Sequence, residues 1–433
     1  MVVLFKTLQV ILALSILIIV HEFGHFTFAK LFGIRVDKFY LFFDVGGKRL
    51  LRFKIGETEF GIGVLPFGGY CKIAGMIDES MDLDSLKQDP QPWEFRTKPA
   101  WQRLLVMFGG VLFNFIFAII IFSVMLGMKG ETYIPNEGNA VYVNDLAYEM
   151  GFRNGDQILS FDDYVPDNFY ALQSGLGRRL ASKATVLRDG DTLDIYIDHS
   201  MIGEVLNSPD MFDIALPFVV SEVQESSLNK DSGLMAEDRI LSINGEGFRF
   251  FQDARPVLEK NAGSVVDVTV LRAADSLSLA LQVDSLGKIG VAIKIPDLKV
   301  RKYTGLSALP AGCKYTWELI VNYLRDLRLV ATPSTQAYKS VGSFIAIGQV
   351  FPSAWDWLQF FYIIGLLSIM LGVMNLIPIP GLDGGHILFT LYEMVTGRKP
   401  SDKFLIAMQI IGMAIIFGLL ILACGNDITR LIK

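Results

Sequence analysis

The chain has 433 residues, of which 52% are hydrophobic, and its mean hydropathy is +0.41. This is too apolar for an ordinary soluble protein and indicates membrane-spanning segments. The net charge of −6 is modest and argues against a nucleic acid as the partner. The three cysteines, Cys71, Cys313 and Cys424, lie far apart without metal-binding spacing, so no disulfide framework is expected.

Four apolar segments are each long enough to cross a bilayer of about 30 Å. They cover residues 4–32, 101–128, 356–377 and 403–424. The first carries a polar motif in its second half, and no small-residue cleavage site follows it. We therefore expect it to remain as a helix rather than to be removed as a signal peptide. The sequence predicts a polytopic α-helical membrane protein with four transmembrane helices.

The polar motif of the first segment is HEFGH, at residues 21–25. Histidines four positions apart lie on one face of a helix, so His21 and His25 can bind the same metal ion. Glu22 is close enough to handle the proton of a water molecule at that metal. Histidines on apolar helices are often only hydrogen-bonded, but the chain has just 4 of them, and ionisable groups inside a membrane are costly. The pattern therefore favours a metal site.

A third ligand is expected where the third apolar segment ends, in the stretch 375–386. Pro378 and Pro380 cannot continue a regular helix, and irregular backbone at membrane depth is tolerated only where it is buried or lines a cavity. Asp383 is the favoured ligand because a carboxylate with two imidazoles suits a hydrolytic zinc site. His386 competes for this role, and the alternative for Asp383 is that it only caps the following helix.

The orientation follows from the distribution of lysine and arginine. These residues are frequent in 34–99, and the short loop 386–402 holds Arg398 and Lys399, so both stretches are predicted to be cytoplasmic. The two termini and the long stretch between the second and third helices then lie outside. The HEFGH motif comes near the cytoplasmic end of the first helix, so the metal site is expected close to that side of the membrane.

Residues 56–70 are unusually rich in glycine, and apolar residues alternate around Gly61 and Gly63. This pattern predicts a hairpin or the edge of a sheet. It is compatible with an ordinary turn in a small domain. It is equally compatible with an apolar edge that dips into the membrane and pairs with an extended substrate by strand addition.

Residues 130–300 change to short alternating strands, and they contain an internal repeat. Residues 151–162 align with residues 233–244, which predicts two tandem domains. The strands predicted at their ends are 184–186 and 193–197 in the first domain and 265–271 and 277–283 in the second. A turn ending in Gly-Asp before an apolar strand resembles PDZ domains, which capture peptides by strand addition. The alternatives are two β domains that act as spacers, or a gate that excludes large substrates.

The predicted segmentation combines the helices, the charges and the repeat. It comprises the first transmembrane helix with HExxH (1–33), a cytoplasmic loop with a membrane-associated β element (34–99), the second transmembrane helix (100–128), PDZ-like α+β periplasmic domains (129–213 and 214–300), an amphipathic or linker region (301–355), the third transmembrane helix with its broken end (356–385), a cytoplasmic loop (386–402) and the fourth transmembrane helix with a C-terminal tail (403–433). Residues 311–330 within this scheme have helical periodicity. They are expected to lie along the outer membrane surface or to pack in the periplasmic domain.

Together, the motifs resemble the site-2 protease family of intramembrane zinc metalloproteases, over essentially the whole chain. The matching features are HEFGH, a GxxxN motif at residues 110–114, the tandem PDZ-like repeats and NLIPIPGLDGGH at residues 375–386. The resemblance implies that zinc is the cofactor, that its ligands are His21, His25 and Asp383, and that Glu22 is the catalytic base.

The resemblance also implies how substrates are bound and where the protein acts. Residues expected to contact the substrate are Asn375, Asn114, Gly110, Gly61 and Gly63. The expected substrates are membrane proteins cut within their transmembrane segments, such as an anti-sigma factor or remnant signal peptides. The expected location is the bacterial inner membrane, in contact with the lipid bilayer, with the PDZ-like domains in the periplasm.

Two other functions remain open from the residues alone. One is a membrane-anchored binding module whose repeats recruit partners while the metal site is vestigial. The other is a metal transporter, since histidines and carboxylates in membrane helices also mark ion paths. A transporter would need polar residues strung across the bilayer, and the second and fourth apolar segments have almost none. Cleavage of a transmembrane reporter by the wild type and by Glu22→Gln would separate a protease from both.

Overall fold

The computed structural model describes residues 2–76, 89–208 and 210–432, so residues 77–88 of the predicted cytoplasmic loop lie outside the described residues. The helices are α1 Val2–Leu31, α2 Ala100–Lys129, α3 Asp145–Glu149, α4 Leu172–Arg179, α5 Ile202–Asn207, α6 Phe251–Lys260, α7 Ala308–Val330, α8 Phe344–Val350, α9 Trp357–Leu376, α10 Asp383–Thr396 and α11 Asp402–Ile432.

The strands are β1 Val36–Phe43, β2 Arg49–Ile55, β3 Thr58–Gly63, β4 Leu65–Ile73, β5 Glu131–Tyr133, β6 Val141–Val143, β7 Gln157–Phe161, β8 Lys183–Arg188, β9 Asp191–Tyr196, β10 Phe212–Ile214, β11 Val220–Val223, β12 Arg239–Ile243, β13 Glu246–Gly247, β14 Val265–Arg272, β15 Asp275–Gln282, β16 Val291–Ile293 and β17 Lys299–Arg301. The chain divides into two compact units. One is mainly helical and comprises residues 1–130, 302–331 and 338–433. The other is rich in sheet and comprises residues 131–301 and 332–337.

Four helices of the helical unit are long and apolar enough to cross a membrane, as the sequence predicts. They are α1, α2, α9 and residues Lys403–Thr429 of α11. Local chemistry ends two of them. Gly130, with φ +73°, stops α2 in a conformation that suits glycine. Ile377 is extended because it precedes Pro378, and α9 therefore ends at Leu376.

Helix α2 is central in the helical unit, and small residues allow its neighbours to approach closely. A side chain at Gly365 or Gly372 of α9 would collide with the ring of Phe122 or Phe115 on α2. The hydroxyl of Ser368 on α9 donates to the Asn114 carbonyl oxygen at 2.8 Å. Small residues and interhelical hydrogen bonds of this kind are typical of helix packing in membranes.

The predicted helix at 311–330 is present as α7, and it packs on α2 inside the helical unit. A side chain at Gly312 would collide with Ser123, and the rings of Tyr315 and Phe122 lie 5.1 Å apart. The alternative that this helix belongs to the sheet-rich domain is therefore wrong. Residues 386–402 were predicted to be a loop, but residues 386–396 are helical. They belong to α10, which ends before Gly397 with φ +69°.

The first four strands form one sheet in the order β2-β3-β1-β4. β3 forms an antiparallel hairpin with β2 and runs parallel to β1, whereas β4 is antiparallel to β1 and forms an edge of the sheet. β4 lies next to α1: a side chain at Gly69 would collide with Ile18 of α1. This small sheet therefore brings an edge strand beside the helix that carries HEFGH.

The sheet-rich unit has two hydrophobic cores, one in each half of residues 134–293. The strands predicted near the end of each repeat are present as β8, β9, β14 and β15. Both halves contain the same ion pair. Arg188 binds both carboxylate oxygens of Asp156, and Arg272 binds both oxygens of Asp238, each at 2.7 Å. This duplication supports the internal repeat seen in the sequence.

The two ends of residues 131–301 lie side by side. β5, at the beginning, pairs antiparallel with β17, at the end, and Glu131 lies opposite Arg301. The chain thus enters and leaves residues 131–301 through one short ribbon of two strands.

Candidate metal centre and its surroundings

Three potential metal ligands from distant parts of the chain meet inside the helical unit. The Oδ2 atom of Asp383 lies 3.2 Å from Nε2 of His21 and 3.3 Å from Nε2 of His25, and the two Nε2 atoms are 3.3 Å apart. Both histidines are buried. Among the described residues, these three are the group that could hold a metal ion. His386, the competing candidate, lines the same cavity but is not part of this group.

This triangle has the dimensions of a zinc site. With bonds of about 2.0–2.2 Å to nitrogen and oxygen, two ligands of a tetrahedral zinc ion lie about 3.3 Å apart. The three measured separations match that edge, and the fourth corner remains for water or substrate. The Oδ2 atom of Asp383 is buried and has no hydrogen-bond partner in the described part of the chain. A buried carboxylate oxygen without a partner is costly, and a cation would satisfy it.

Each ligand is brought into place by its helix. His21 and His25 are one turn apart in the continuous helix α1. Asp383 is the first residue of α10, which begins after the proline-containing break 377–382. Gly384 and Gly385 follow it because side chains there would collide with the backbone of Ile377 and Pro380. The glycines therefore let α10 start against the broken end of α9.

The outer nitrogens of both imidazoles have partners on α2. Nδ1 of His25 donates to the Val106 carbonyl oxygen at 2.8 Å, which leaves Nε2 free to bind a metal. Nδ1 of His21 lies 3.0 Å from the amide of Asn114, whose Oδ1 is buried without a partner among the described residues. When Nε2 of His21 binds a metal, its Nδ1 carries the proton and can donate a hydrogen bond. Asn114 accepts this hydrogen bond through Oδ1 when its amide is turned by 180°.

Three glycines allow α1 and α2 to meet at the histidines. A side chain at Gly24 would collide with the backbone of Gly109, and a side chain at Gly110 would collide with the rings of His25 and His21. The GxxxN motif of the sequence thus has a packing reason. Gly110 lets the imidazoles lie against α2, and Asn114, one turn later, holds one of them.

A carboxyl group stands next to the triangle without being part of it. Glu22 lines the same cavity as the three ligands, together with Cys71 of β4. The cavity has a volume of about 120 Å³, which is room for several water molecules. Asn375 at the end of α9 also faces it, with its amide nitrogen 3.2 Å from Nε2 of His21.

Some predicted substrate-binding residues lie elsewhere. Gly61 and Gly63 are on β3, which is paired on both sides in its sheet, so they do not offer a free edge. A side chain at Gly61 would instead collide with the ring of Tyr40. Asn114 is fully buried against His21. In the structure, Gly61 and Gly63 are packing positions, and Gly110 and Asn114 lie against the histidines. Contact of these four residues with a substrate stays a prediction.

Sequence reasoning missed one cavity residue on the last helix. Gln409 of α11 lines the cavity together with Glu22 and Asp383 and is only 4% exposed. The signal for it was present, because a single polar residue in an otherwise apolar membrane segment is a functional candidate by default.

Two imidazoles and a carboxylate on a zinc-sized triangle, with a second carboxyl group beside it, define a metallohydrolase built into a bundle of apolar helices. Comparisons with known proteins agree. The sequence profile of peptidase family M50, the site-2 proteases, matches residues 9–419. The chain is 28% identical to the regulator of sigma-E protease RseP of Escherichia coli, over 97% of this chain and 98% of that protein. It is 27% identical to a Vibrio cholerae protein that carries the provisional name zinc metalloprotease, over 99% of both.

The chain belongs to peptidase family M50. It is a metalloprotease, and its cofactor is zinc. The likeness to site-2 proteases, the enzyme class and the cofactor predicted from the sequence are therefore confirmed.

Proposed function

We propose that this protein hydrolyses peptide bonds within the transmembrane segments of other membrane proteins. The observation that carries the proposal is the zinc-sized triangle of His21, His25 and Asp383 beside Glu22, in a cavity between apolar helices. Ionisable groups are costly among apolar helices, and a hydrolytic site there is best placed to act on a substrate that is itself in the membrane.

In this proposal His21, His25 and Asp383 hold the zinc ion. When bound, zinc acts as a Lewis acid that acidifies a water molecule and polarises a carbonyl group. Glu22 accepts the proton of the attacking water and later passes it to the leaving amine. Cys71 of β4 lines the cavity beside Glu22. Val106 and Asn114 hold the imidazoles in the tautomer that directs Nε2 to the metal.

A substrate helix must unwind locally before it can be cut, because its carbonyl groups are occupied by hydrogen bonds. The edge of β4 beside Glu22 is suited to pair with an unwound segment by strand addition. The amide of Asn375 faces the same cavity and can pair with freed backbone groups of the substrate. Strand pairing would thus replace the hydrogen bonds that the substrate helix loses.

The relatives suggest the class of substrate. One is named regulator of sigma-E protease RseP. We therefore propose a transmembrane anti-sigma factor as one substrate of this chain, and remnant signal peptides as a second. The proposed location is the inner membrane, with the metal site near the cytoplasmic side. The duplicated sheet domains are proposed to be PDZ-like, to lie in the periplasm and to select or exclude substrates.

The test is cleavage of a single-span reporter by the purified full-length protein and by Glu22→Gln. Loss of a general base lowers rates by about 10²–10⁴-fold, and we expect a decrease in this range with unchanged zinc content. Glu57→Gln, at an exposed turn of the β element, is the matched control and should cleave like the wild type. Equal cleavage by the wild type and Glu22→Gln would refute the proposed function.

A further inference from the structure

The last helix carries one polar side chain in an otherwise apolar stretch. From Phe404 to Ala423, every side chain except that of Gln409 is apolar. Gln409 is 4% exposed, whereas the next residue, Ile410, is 52% exposed. The polar residue therefore points into the protein, and its apolar neighbour points outward, which is the reverse of the arrangement in a soluble helix.

Gln409 faces the metal cavity. Its side chain lines the space that is also lined by Glu22, Asp383 and Asn375. One turn later, Gly412 lies so close to the Pro380 carbonyl that a side chain would not fit, so α11 is held tightly against the broken segment after α9. This contact fixes which face of α11 is presented to the cavity.

The amide of Gln409 has no hydrogen-bond partner within the described part of the protein. It lines the cavity, where water can satisfy it in the free enzyme. Because no protein group binds this amide, it contributes little to the stability of the fold. A substrate segment that displaces the water must offer the amide new partners.

We propose that Gln409 is a substrate-binding residue that pairs its amide with peptide groups of the unwound substrate segment. This inference rests on the proposed function. A side-chain amide offers both donors and an acceptor, and a peptide group needs the same pair. Asn375 from α9 and Gln409 from α11 line one cavity, so a segment lying beside Glu22 meets amides from two helices. These amides compensate hydrogen bonds that the substrate gives up.

The first test replaces Gln409 by methionine, which keeps the shape and removes the amide. We expect kcat/KM for a single-span reporter to fall about tenfold, the factor that one hydrogen bond can supply. Zinc content should not change, and the unfolding temperature should stay the same or rise. A kcat/KM within twofold of the wild type would overturn the inference. A loss of zinc or a lower unfolding temperature would also overturn it, because Gln409 would then be structural.

Gln9→Met is the matched control, since Gln9 is another fully buried glutamine in a membrane helix. Unlike Gln409, it does not line the cavity, and its amide donates to the Pro352 carbonyl oxygen at 3.0 Å. We expect the same substitution there to lower the unfolding temperature and to leave kcat/KM of the folded protein unchanged. Gln409→Met should thus lower kcat/KM but not the unfolding temperature, and Gln9→Met the reverse.

The second test is cross-linking, which does not depend on turnover. In a Glu22→Gln chain whose three cysteines are replaced by alanine, Gln409→Cys should form a disulfide with a reporter cysteine next to the cleavage site. Ile410→Cys, on the outward face, should not. Equal cross-linking at both positions would overturn the inference. If the wild type does not cleave the reporter at all, the proposed function fails. If the wild type cleaves normally but the Gln409 variants show no loss of kcat/KM and no specific cross-link, only the role of Gln409 is refuted.

Discussion

Some of the smallest residues at the metal centre stand where no larger side chain fits. Gly110 has no chemistry of its own, yet the space that a methyl group would need is occupied by the rings of His21 and His25. Backbone and imidazole atoms cannot both move aside without changing the spacing of the two Nε2 atoms. The geometry of the zinc ligands therefore depends on a residue that never touches the ion.

We predict that Gly110→Ala reduces zinc occupancy and cleavage strongly, by about tenfold or more in metal affinity, the effect expected when the supports of metal ligands are disturbed. Zinc content measured after dialysis against a weak chelator is the readout. Gly418→Ala is the control, because a side chain at Gly418 meets nothing within 4 Å. Normal zinc binding by Gly110→Ala would contradict the packing argument.

Single residues could be predicted where the chemistry is local. The spacing of His21 and His25 places both on one face of any helix, and the glycines and prolines near Asp383 mark the broken backbone that carries it. The role of Asn114 could not be predicted, because it depends on how α1 and α2 cross. Gln409 could have been predicted from its isolation in an apolar segment.

At the scale of elements, one partly buried ion pair holds the helix that carries Asp383. Arg103, near the start of α2, pairs with Glu393 in α10, and their side chains are 9% and 18% exposed. The same guanidinium donates to the Lys98 carbonyl oxygen at 3.0 Å. The pair fastens α10 to the central helix, so it helps to position the carboxylate at the beginning of α10.

We predict that Arg103→Met destabilises the protein by about 1–3 kcal/mol, because it leaves the partly buried Glu393 carboxylate without its partner. Zinc affinity should fall as well, since α10 is then less firmly held. Adding Glu393→Met should restore most of the loss, because replacing both charges by apolar groups is often neutral. Unfolding temperature and zinc content of both variants provide the check, and a double variant as impaired as the single one would contradict the prediction.

The elements themselves were predictable to different degrees. Long apolar runs define the four membrane helices because few other structures can bury them. Helix α7 was predicted, but its packing was not, since the same amphipathic pattern fits a membrane surface and a protein groove. The continuation of α10 to Thr396 was missed, because the lysine and arginine around residue 398 had been counted as a loop. The stretch 56–70, predicted to hold a hairpin or a sheet edge, contains β3 and the first part of the edge strand β4. Which of the two strands forms the edge could not be predicted, because strand order is not visible in glycine spacing.

At the scale of the whole molecule, residues 131–301, the larger part of the sheet-rich unit, are an insertion between α2 and α7, and the unit also includes residues 332–337, which follow α7. The ends of the insertion meet in the β5–β17 ribbon, in which Tyr133 lies opposite Lys299. A two-residue turn such as Asn-Gly can join two strands paired in this way. Residues 134–298 can therefore be replaced by such a turn without opening the ribbon.

We predict that a chain in which residues 134–298 are replaced by Asn-Gly still binds zinc and still cleaves a reporter with a short outer segment. If the repeats act as a size filter, the wild type should cleave a reporter with a folded outer domain much more slowly than a short one, and the shortened chain should cleave both at similar rates. Comparing the two rate ratios is the measurement. A shortened chain that binds zinc and still discriminates fully would show that the filter lies elsewhere.

The meeting of the two ends also bears on how such a protein can change over time. For the bundle, a segment that leaves and returns at one point behaves like a short connector, and the entropy of closing a loop grows only slowly with its length. Whatever is inserted at that point can fold around its own core. A gene could therefore exchange, duplicate or lose this module in one step while the hydrolytic apparatus stays intact, and descendants with a different number of repeats are to be expected.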